Sequence, residues 1–157
     1  MTPEDAAARR VGRERAVQWL YQWELSGLDL DDVLSRQHQV EVHPPDRDRD
    51  AWAVELVRGT ARELGRIDAL ITQHATNWRI ERMAVVDRVI LRLGVYELLC
   101  TPETPPAVVI DEAVELARTF SADQAVAFVN GVLDAVHRGL AAPGGEPGAG
   151  AAGTASS

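Results

Sequence analysis

The sequence predicts an all-α protein, and three observations lead to that prediction. Apolar residues recur at spacings of three and four along most of the chain, as the buried stripe of an amphipathic helix requires. No stretch of useful length alternates apolar with polar residues, which is the pattern of a half-buried strand. Glycine and proline stand between the periodic segments, where helices are expected to end.

The first two helices are predicted over about residues 6–25 and about residues 29–39. The apolar stripe of the first consists of Val17, Leu20, Tyr21 and Leu25. Gly27 is expected to end this helix, because glycine commonly occupies the position just past a helix C-terminus. His43-Pro44-Pro45 is expected to interrupt the chain after the second helix, since proline cannot continue a helix and restricts the residue before it.

The segment over about residues 46–76 carries one long apolar stripe. Its members are Trp52, Leu56, Val57, Leu64, Ile67, Leu70 and Ile71. Gly59 and Gly65 lie inside the segment, and glycine is a poor residue for a helix interior. A bend or a split into two helices is therefore expected there.

Three further helices are predicted in the C-terminal half. The first covers about residues 84–99. Its inward positions are Val86, Val89, Ile90, Leu93 and Tyr96, and its positions nearer solvent are Asp87, Arg88 and Arg92.

Pro105-Pro106 begins the next helix, where a missing N–H costs nothing. Ser121 and Gln124 have the spacing of a capping box and are expected to open the last helix. Within it, Asn130-Gly131 is expected to mark a close helix crossing.

With 157 residues, the chain has the length of one domain and can bury a substantial core. A helical domain is predicted over residues 1–140. Residues 141–157 consist mainly of Gly, Ala, Pro and Ser, so they are expected to form a disordered tail. No apolar run is long enough to span a membrane and no secretory signal is recognisable, so the protein is expected to be soluble and cytoplasmic.

The net charge of −8 argues against a general affinity for nucleic acid. Basic residues are nevertheless concentrated near the N-terminus, at Arg9, Arg10, Arg13 and Arg15. At helical spacing Arg9 and Arg13 share a face, with Arg10 beside them. Several guanidinium groups could then follow one phosphate path, since arginine bonds phosphate oxygens bidentately and stacks on bases. The alternative is a solvated first turn of a helix.

No enzymatic constellation is recognisable, and the sequence predicts neither a catalytic site nor a metal or cofactor site. The four histidines are scattered without ligand spacing. The single cysteine, Cys100, can form neither an internal disulfide nor a multi-cysteine zinc site, and it has no evident base partner. No glycine-rich phosphate loop follows a strand and precedes a helix.

Four blocks of the sequence together resemble the NusB family, in order and in spacing. They are RRVGRERAVQWLYQWEL (residues 9–25), DRVILRLGVYELL (87–99), IDEAVELA (110–117) and FVNGVL (128–133), with Pro105-Pro106 between the second and third. The resemblance covers about residues 9–137. It implies about seven helices in two small bundles packed against each other, the N-terminal bundle over about residues 6–76 and the C-terminal bundle over about 80–139.

The resemblance also implies a function. Members of the family bind a short single-stranded RNA element, boxA, together with the ribosomal protein called NusE in that setting. The pair helps the elongating RNA polymerase to read through terminators, chiefly on ribosomal RNA operons. By this resemblance the chain is expected to be a transcription antitermination factor.

The same resemblance supports RNA contacts for the arginines Arg9, Arg10 and Arg13. Tyr21 and Phe128 are the aromatic candidates for stacking on unpaired bases, which is the usual way in which single-stranded RNA is held, and the resemblance supports this role for Phe128. Both aromatic residues fit apolar stripes as well, so a place in the core is the alternative for each of them.

Asp87, Arg88 and Glu97 lie along the helix that in the family faces the ribosomal protein partner. They are therefore the candidate partner-binding residues. The alternative is a charged helix face that is only solvated.

Gln124 and Ala127 depart from the family pattern, which commonly has an acid and a lysine at these positions. The acid often meets the protein partner and the lysine would meet RNA phosphate. Because each lost phosphate contact lowers both the affinity and its salt dependence, weaker and less salt-sensitive RNA binding is predicted.

Two other functions are left open. A helical adaptor or homodimer of the same fold, with little RNA affinity, would agree with the overall acidity and the missing lysine. An enzyme-class alternative is the NusB-like domain at the front of ribosomal RNA cytosine methyltransferases. The Gly/Ala tail at the end of the 157 residues, without a nucleotide-binding fold behind it, argues against this alternative.

Overall fold

The computed structural model describes residues 2–36 and 47–142, and in these ranges the chain is helical, as predicted. The helices are α1 (Pro3–Ser26), α2 (Leu30–Arg36), α3 (Arg47–Arg62), α4 (Leu64–His74), α5 (Val85–Cys100), α6 (Pro106–Phe120) and α7 (Asp123–Ala141), with one 3-10 turn at Ile80–Arg82. The expected break at His43-Pro44-Pro45 and the expected disorder after residue 142 lie outside the described residues.

The chain divides into two compact units after Arg62. The first unit contains α1, α2 and α3, and the second contains α4 to α7. The sequence places the end of the first bundle near residue 76, which would include α4. In the structure α4 packs on α5 and α7 instead, because its buried stripe of Ile67, Leu70 and Ile71 faces those helices.

Helix α1 begins earlier than predicted because its first residues form a complete capping box. The Asp5 backbone N–H donates to Thr2 Oγ1 at 3.1 Å, and the Thr2 backbone N–H donates to Asp5 Oδ2 at 3.1 Å. Pro3 occupies the first turn, where its missing N–H costs nothing. Gly27 ends the helix with φ of 67°, and its N–H donates to the Trp23 carbonyl oxygen. The predicted C-terminus of α1 is therefore confirmed.

The first unit is built by α1 packing on α3 and α2. The inner face of α1 follows Gly12, Ala16 and Leu20, which are all buried at a spacing of four. Tyr21 and Leu25 lie away from this face and are 38% and 59% exposed, although the sequence places them on the apolar stripe. The stripe is therefore rotated relative to the prediction, which leaves an aromatic ring at the surface.

The long segment after residue 46 is split at Glu63, which separates α3 from α4. The predicted split is confirmed, but neither glycine lies at the break. Gly59 is buried inside α3, and Gly65 is exposed in the first turn of α4.

Helix α5 forms the centre of the second unit and contacts α4, α6 and α7. Its Gly94 lies against Leu133 of α7, so closely that a Cβ at position 94 would be 2.8 Å from Leu133 Cδ1. Arg92 is joined to Asp68 of α4 by two parallel hydrogen bonds, Nε to Oδ1 and Nη2 to Oδ2, both of 2.9 Å. This bidentate ion pair fixes α4 to α5 from the partly buried edge of the interface.

The junction between α6 and α7 differs from the prediction. Helix α6 begins after Pro105, as expected. Ser121 does not form a capping box, however, because its hydroxyl donates to the Asp87 carboxylate of α5, and Ala122 occupies the N-cap of α7. The expected close crossing at Gly131 is also wrong. Gly131 is exposed with nothing near its Cβ position. Close approaches occur instead at Gly94 and at Gly139, where a Cβ would be 2.8 Å from His74 Cε1 of α4.

No helix within the described part of the chain combines the length and the apolar character that crossing a membrane requires.

Candidate nucleic-acid interface

Two arginines of α1 lie over one tryptophan of α3. The Cζ atoms of Arg9 and Arg13 are 5.2 and 5.1 Å from the centroid of the Trp52 ring. Both distances are within the range of cation–π attraction, which is electrostatic and acts between the guanidinium charge and the electron-rich ring face. Trp52 is half-buried, as is Arg9. The N-terminal arginine cluster is thus organised by an aromatic ring that the sequence places only in a core stripe.

Gly12 explains how the tryptophan ring approaches α1. A Cβ at position 12 would be 2.8 Å from Trp52 Cε3 and 3.1 Å from Cζ3, closer than ordinary van der Waals contact allows. The absence of a side chain at this position therefore lets the indole lie between the helices, next to Arg9 and Arg13.

The arginine cluster is not one solvent-facing path. Arg13 is only 3% exposed and Arg15 is also buried. The Arg15 guanidinium pairs with Asp50 of α3 at 3.5 Å, and Arg49 pairs with the same carboxylate at 3.2 Å. The expectation that Arg13 lies along a surface phosphate path is corrected by this burial, whereas Arg9 is half-buried and Arg10 is exposed.

Tyr21 shares an exposed face of α1 with Arg10. The two residues are eleven positions apart, which is close to three full turns, so both side chains project in nearly the same direction about 16 Å apart. Gln18 is exposed between them. A cation and an aromatic ring are therefore presented on one side of a single rigid helix.

Phe128 of α7 lies in the second unit and pairs with a residue that sequence reasoning missed. Its ring centroid is 5.3 Å from that of Trp78, with the two planes tilted by 59°. Trp78 follows α4 and is 58% exposed, a large value for a tryptophan. A cavity of about 470 Å³ opens beside it, lined by residues of the segment 72–81 that include Asn77 and Arg79. The signal available in the sequence is a tryptophan between Asn77 and Arg79, outside any apolar stripe.

The residues at the departure from the family pattern lie beside Phe128. Gln124 and Ala127 are both exposed on α7. Ala127 therefore leaves a solvent-facing position without charge immediately before the aromatic ring.

The three candidate partner-binding residues of α5 have different environments. Asp87 is half-buried and accepts the hydrogen bond from Ser121. Arg88 is buried and donates to the backbone oxygens of Ile80 at 3.0 Å and Met83 at 3.5 Å. Glu97 is only 2% exposed. The expectation that Arg88 lies nearer solvent is wrong, because its guanidinium binds main-chain oxygens next to the 3-10 turn.

Across residues 2–36 and 47–142, no group of three or more His, Cys, Asp or Glu side chains is arranged to hold a metal ion.

The fold and these surfaces define a class of small all-helical binding proteins, with an arginine-bearing first helix and exposed aromatic rings. A family model described as NusB matches residues 10–138. The transcription antitermination protein NusB of Solibacter usitatus is 45% identical over 141 residues, which cover 90% of this chain and 96% of the relative. The chain belongs to the NusB family.

Solved structures support the same assignment. NusB of T. maritima is 34% identical, with a TM-score of 0.75, and the match covers 88% of this chain and 92% of that one. A crystal structure of the antitermination factors NusB and NusE in complex with dsRNA contains a chain that is 30% identical, with a TM-score of 0.72. That match covers 84% of this chain and 97% of the other.

Proposed function

We propose that this chain is a transcription antitermination factor. It binds boxA-type single-stranded RNA of ribosomal RNA operons together with ribosomal protein NusE, and the complex supports processive transcription by the elongating RNA polymerase. The observation that carries the proposal is the arginine cluster of α1, with Arg9 and Arg13 over Trp52 and Arg10 exposed beside them. Membership of a family whose relatives are named transcription antitermination proteins supports it.

The phosphate contacts come from the arginines that solvent reaches. Arg10 is exposed and Arg9 is half-buried, so their guanidinium groups can bond phosphate oxygens. Arg13 is buried against Trp52 and contributes to the cluster without meeting the ligand. Tyr21 lies on the same side of α1 as Arg10 and offers a ring face to an unpaired base. Phosphate contacts give affinity without sequence information, and the aromatic residues contribute contacts to the bases.

The second unit contributes its own aromatic surface. Phe128 is half-buried and supports the exposed Trp78 ring, so that a base can stack on Trp78 beside the exposed Arg79. Every base has a π-face, so such stacking tolerates many sequences and requires that the base be unpaired. This requirement favours single-stranded RNA as the ligand of this surface.

Asp87 is the proposed contact to the protein partner on α5. Its carboxylate is half-buried and held by Ser121, which fixes its direction. Arg88 and Glu97 are buried, so they support this contact without touching the partner. The Arg88 side chain joins the 3-10 turn to α5 through its hydrogen bond to the Ile80 carbonyl oxygen.

We propose that the protein works in the cytoplasm by binding, without catalysing a reaction.

Fluorescence anisotropy with a labelled boxA-type single strand tests the proposal, with and without NusE and at two salt concentrations. We expect weak binding by the chain alone and clearly tighter binding with NusE. Arg10→Ala should weaken binding to all RNA sequences and reduce the salt slope by about 0.7, the value for one contact to a single strand. Arg118→Ala is the matched control, because Arg118 is an exposed arginine in the second unit that pairs with Glu115.

The same measurement with a double-stranded RNA of this sequence shows whether the protein prefers single-stranded or double-stranded RNA. Tighter binding of the duplex than of the single strand would contradict the proposed ligand while retaining RNA binding. Absence of any RNA-dependent enhancement in the ternary mixture would contradict the proposal itself. In that case the second candidate, a helical adaptor or homodimer with little RNA affinity, is favoured by the uncharged Ala127 and the net charge of −8.

A further inference from the structure

We propose that Trp52 is the positioning residue of the RNA surface on α1. In this role its indole ring, which also contacts the buried Arg13, holds the guanidinium group of Arg9 in the orientation that meets phosphate. The inference rests on the proposed RNA-binding function and concerns a residue of α3 that contacts no phosphate itself.

The geometry ties both arginines to one ring. Arg9 and Arg13 are four residues apart and therefore neighbours on one face of α1, and both Cζ atoms lie within 5.2 Å of the Trp52 centroid. An arginine side chain on a helix surface otherwise samples many rotamers, and this freedom is lost when it binds a ligand. A ring that already restricts both side chains reduces the entropy lost when RNA binds.

The chemistry of the contact suits a site for anions. A carboxylate partner orients an arginine but neutralises its charge, as Asp50 does for Arg15. Where such a partner hydrogen-bonds, it also occupies the N–H donors of the guanidinium group. An aromatic ring attracts the guanidinium through the ring face, adds no negative charge and leaves the donors at the guanidinium edge. Trp52 can therefore position Arg9 while the positive charge stays available to phosphate.

The packing around the ring fixes the ring in turn. Trp52 is half-buried between α1 and α3, and the missing side chain at Gly12 lets it reach α1. The ring is thus held by two helices that pack on each other, so its position does not depend on a flexible loop. A positioning role requires this rigidity.

A double-mutant cycle between Trp52→Leu and Arg9→Ala tests the inference, with RNA affinity measured by anisotropy. Trp52→Leu should weaken binding about two- to fivefold, the equivalent of one exposed cation–π contact. In the Arg9→Ala background the same change should add clearly less, because the tryptophan acts through the arginine. Trp52→Phe retains an aromatic face and should restore most of the affinity. Trp23→Leu is the matched control. Trp23 is also a half-buried tryptophan, but it lies on α1, and its replacement should leave the RNA affinity near the wild-type value.

Equal losses from Trp52→Leu in the presence and absence of Arg9 would overturn the inference while leaving the proposed function intact. No effect of Arg9→Ala on RNA binding would instead count against the proposed RNA surface itself. A measurement on the unaltered protein covers the case in which the leucine variant does not fold. The side-chain protons of Arg9 and Arg13 should be shifted upfield in NMR spectra by the ring current of Trp52, and unshifted resonances for both would also overturn the inference.

Discussion

Gly94 of α5 lies directly against the side chain of Leu133 of α7 in the second unit. A Cβ at position 94 would be 2.8 Å from Leu133 Cδ1 and 3.0 Å from Cδ2. Leu133 is fully buried, so its side chain has little room to move away. The contact joins two of the sequence blocks that carry the family resemblance, residues 87–99 and 128–133, and it gives Gly94 a role in packing.

Gly94→Ala should therefore destabilise the protein relative to Gly131→Ala. Both changes add one methyl group to a helix and gain the same helix propensity, but only position 94 meets a neighbour. The expected difference in the free energy of unfolding is about 1–3 kcal/mol, the cost of overpacking a core. Gly131→Ala alone should stabilise by about 0.5–1 kcal/mol. Urea unfolding followed by circular dichroism measures both, and equal stability of the two variants would show that Leu133 moves aside freely.

Ala127→Lys should strengthen RNA binding. The position is exposed next to Phe128, so a lysine there adds one cation beside the proposed stacking surface. One additional phosphate contact to a single strand should steepen the slope of log affinity against log salt by about 0.7. Anisotropy titrations at several salt concentrations measure the slope. Ala69→Lys, at an exposed position inside α4, adds the same charge elsewhere, and an equal gain from both variants would mean that only net charge matters.

Trp78→Ala should weaken binding to single-stranded RNA by about fivefold or more. Stacking of one base on an aromatic ring contributes about 1–3 kcal/mol, and this variant removes the exposed ring while Phe128 stays. Trp78→Phe should retain most of the affinity. Val108→Ala, which trims another exposed apolar side chain, should change nothing. If Trp78→Ala weakened the binding of NusE and left RNA affinity unchanged, this surface would be a protein contact.

The capping box of α1 predicts that the stability of this helix depends on pH. Hydrogen bonds from the Thr2 hydroxyl and the Thr2 backbone N–H lower the pKa of Asp5 below its usual value. Because the pKa is lowered in the folded state, the cap stabilises α1 fully above the usual pKa of an aspartate. That contribution is lost as the pH falls through the lowered value.

Thr2→Ala removes the hydroxyl donor, so the pKa of Asp5 should rise toward its usual value in this variant. Thr2→Ser keeps the hydroxyl and should leave the pKa nearly unchanged. An NMR titration of the Asp5 carboxyl measures both. Identical titration curves for the alanine variant and the wild type would exclude the hydroxyl as the main cause.

Features that depend on a few neighbouring residues could be predicted from the sequence. The end of α1 at Gly27 and the start of α6 after Pro105 both follow from the backbone preferences of glycine and proline. The split of the long segment was also predictable, although Gly59 and Gly65 do not lie at the break itself. Such features need no knowledge of what packs against the helix.

The environments of the charged residues depended on partners that are distant in sequence. Arg13 is buried because Trp52 of α3 lies beneath its guanidinium, and Arg88 is buried because main-chain oxygens of the preceding segment accept its hydrogen bonds. Ser121 does not cap α7 because its hydroxyl donates a hydrogen bond to the carboxylate of Asp87, thirty-four residues earlier. A helical pattern places charged residues at the surface by default, and only the tertiary contact reverses that expectation.

Trp78 was missed for a different reason. It lies in the non-periodic stretch between α4 and α5, where an apolar pattern has nothing to align with. Its significance comes from its exposure and from the neighbouring Phe128 ring, fifty residues later in the chain. The apolar pattern therefore offers no reason to single out Trp78 as a site residue.

The placement of Trp52 on α3 and of its two arginines on α1 has a thermodynamic consequence. The surface they form exists only when both helices are folded and packed, so a ligand that needs it binds the native state and not the unfolded chain. RNA at a hundred times its dissociation constant should then raise the free energy of unfolding by about 2.7 kcal/mol. The melting temperature of the protein should therefore rise as more of it binds RNA, and bound RNA should stabilise the folded first unit.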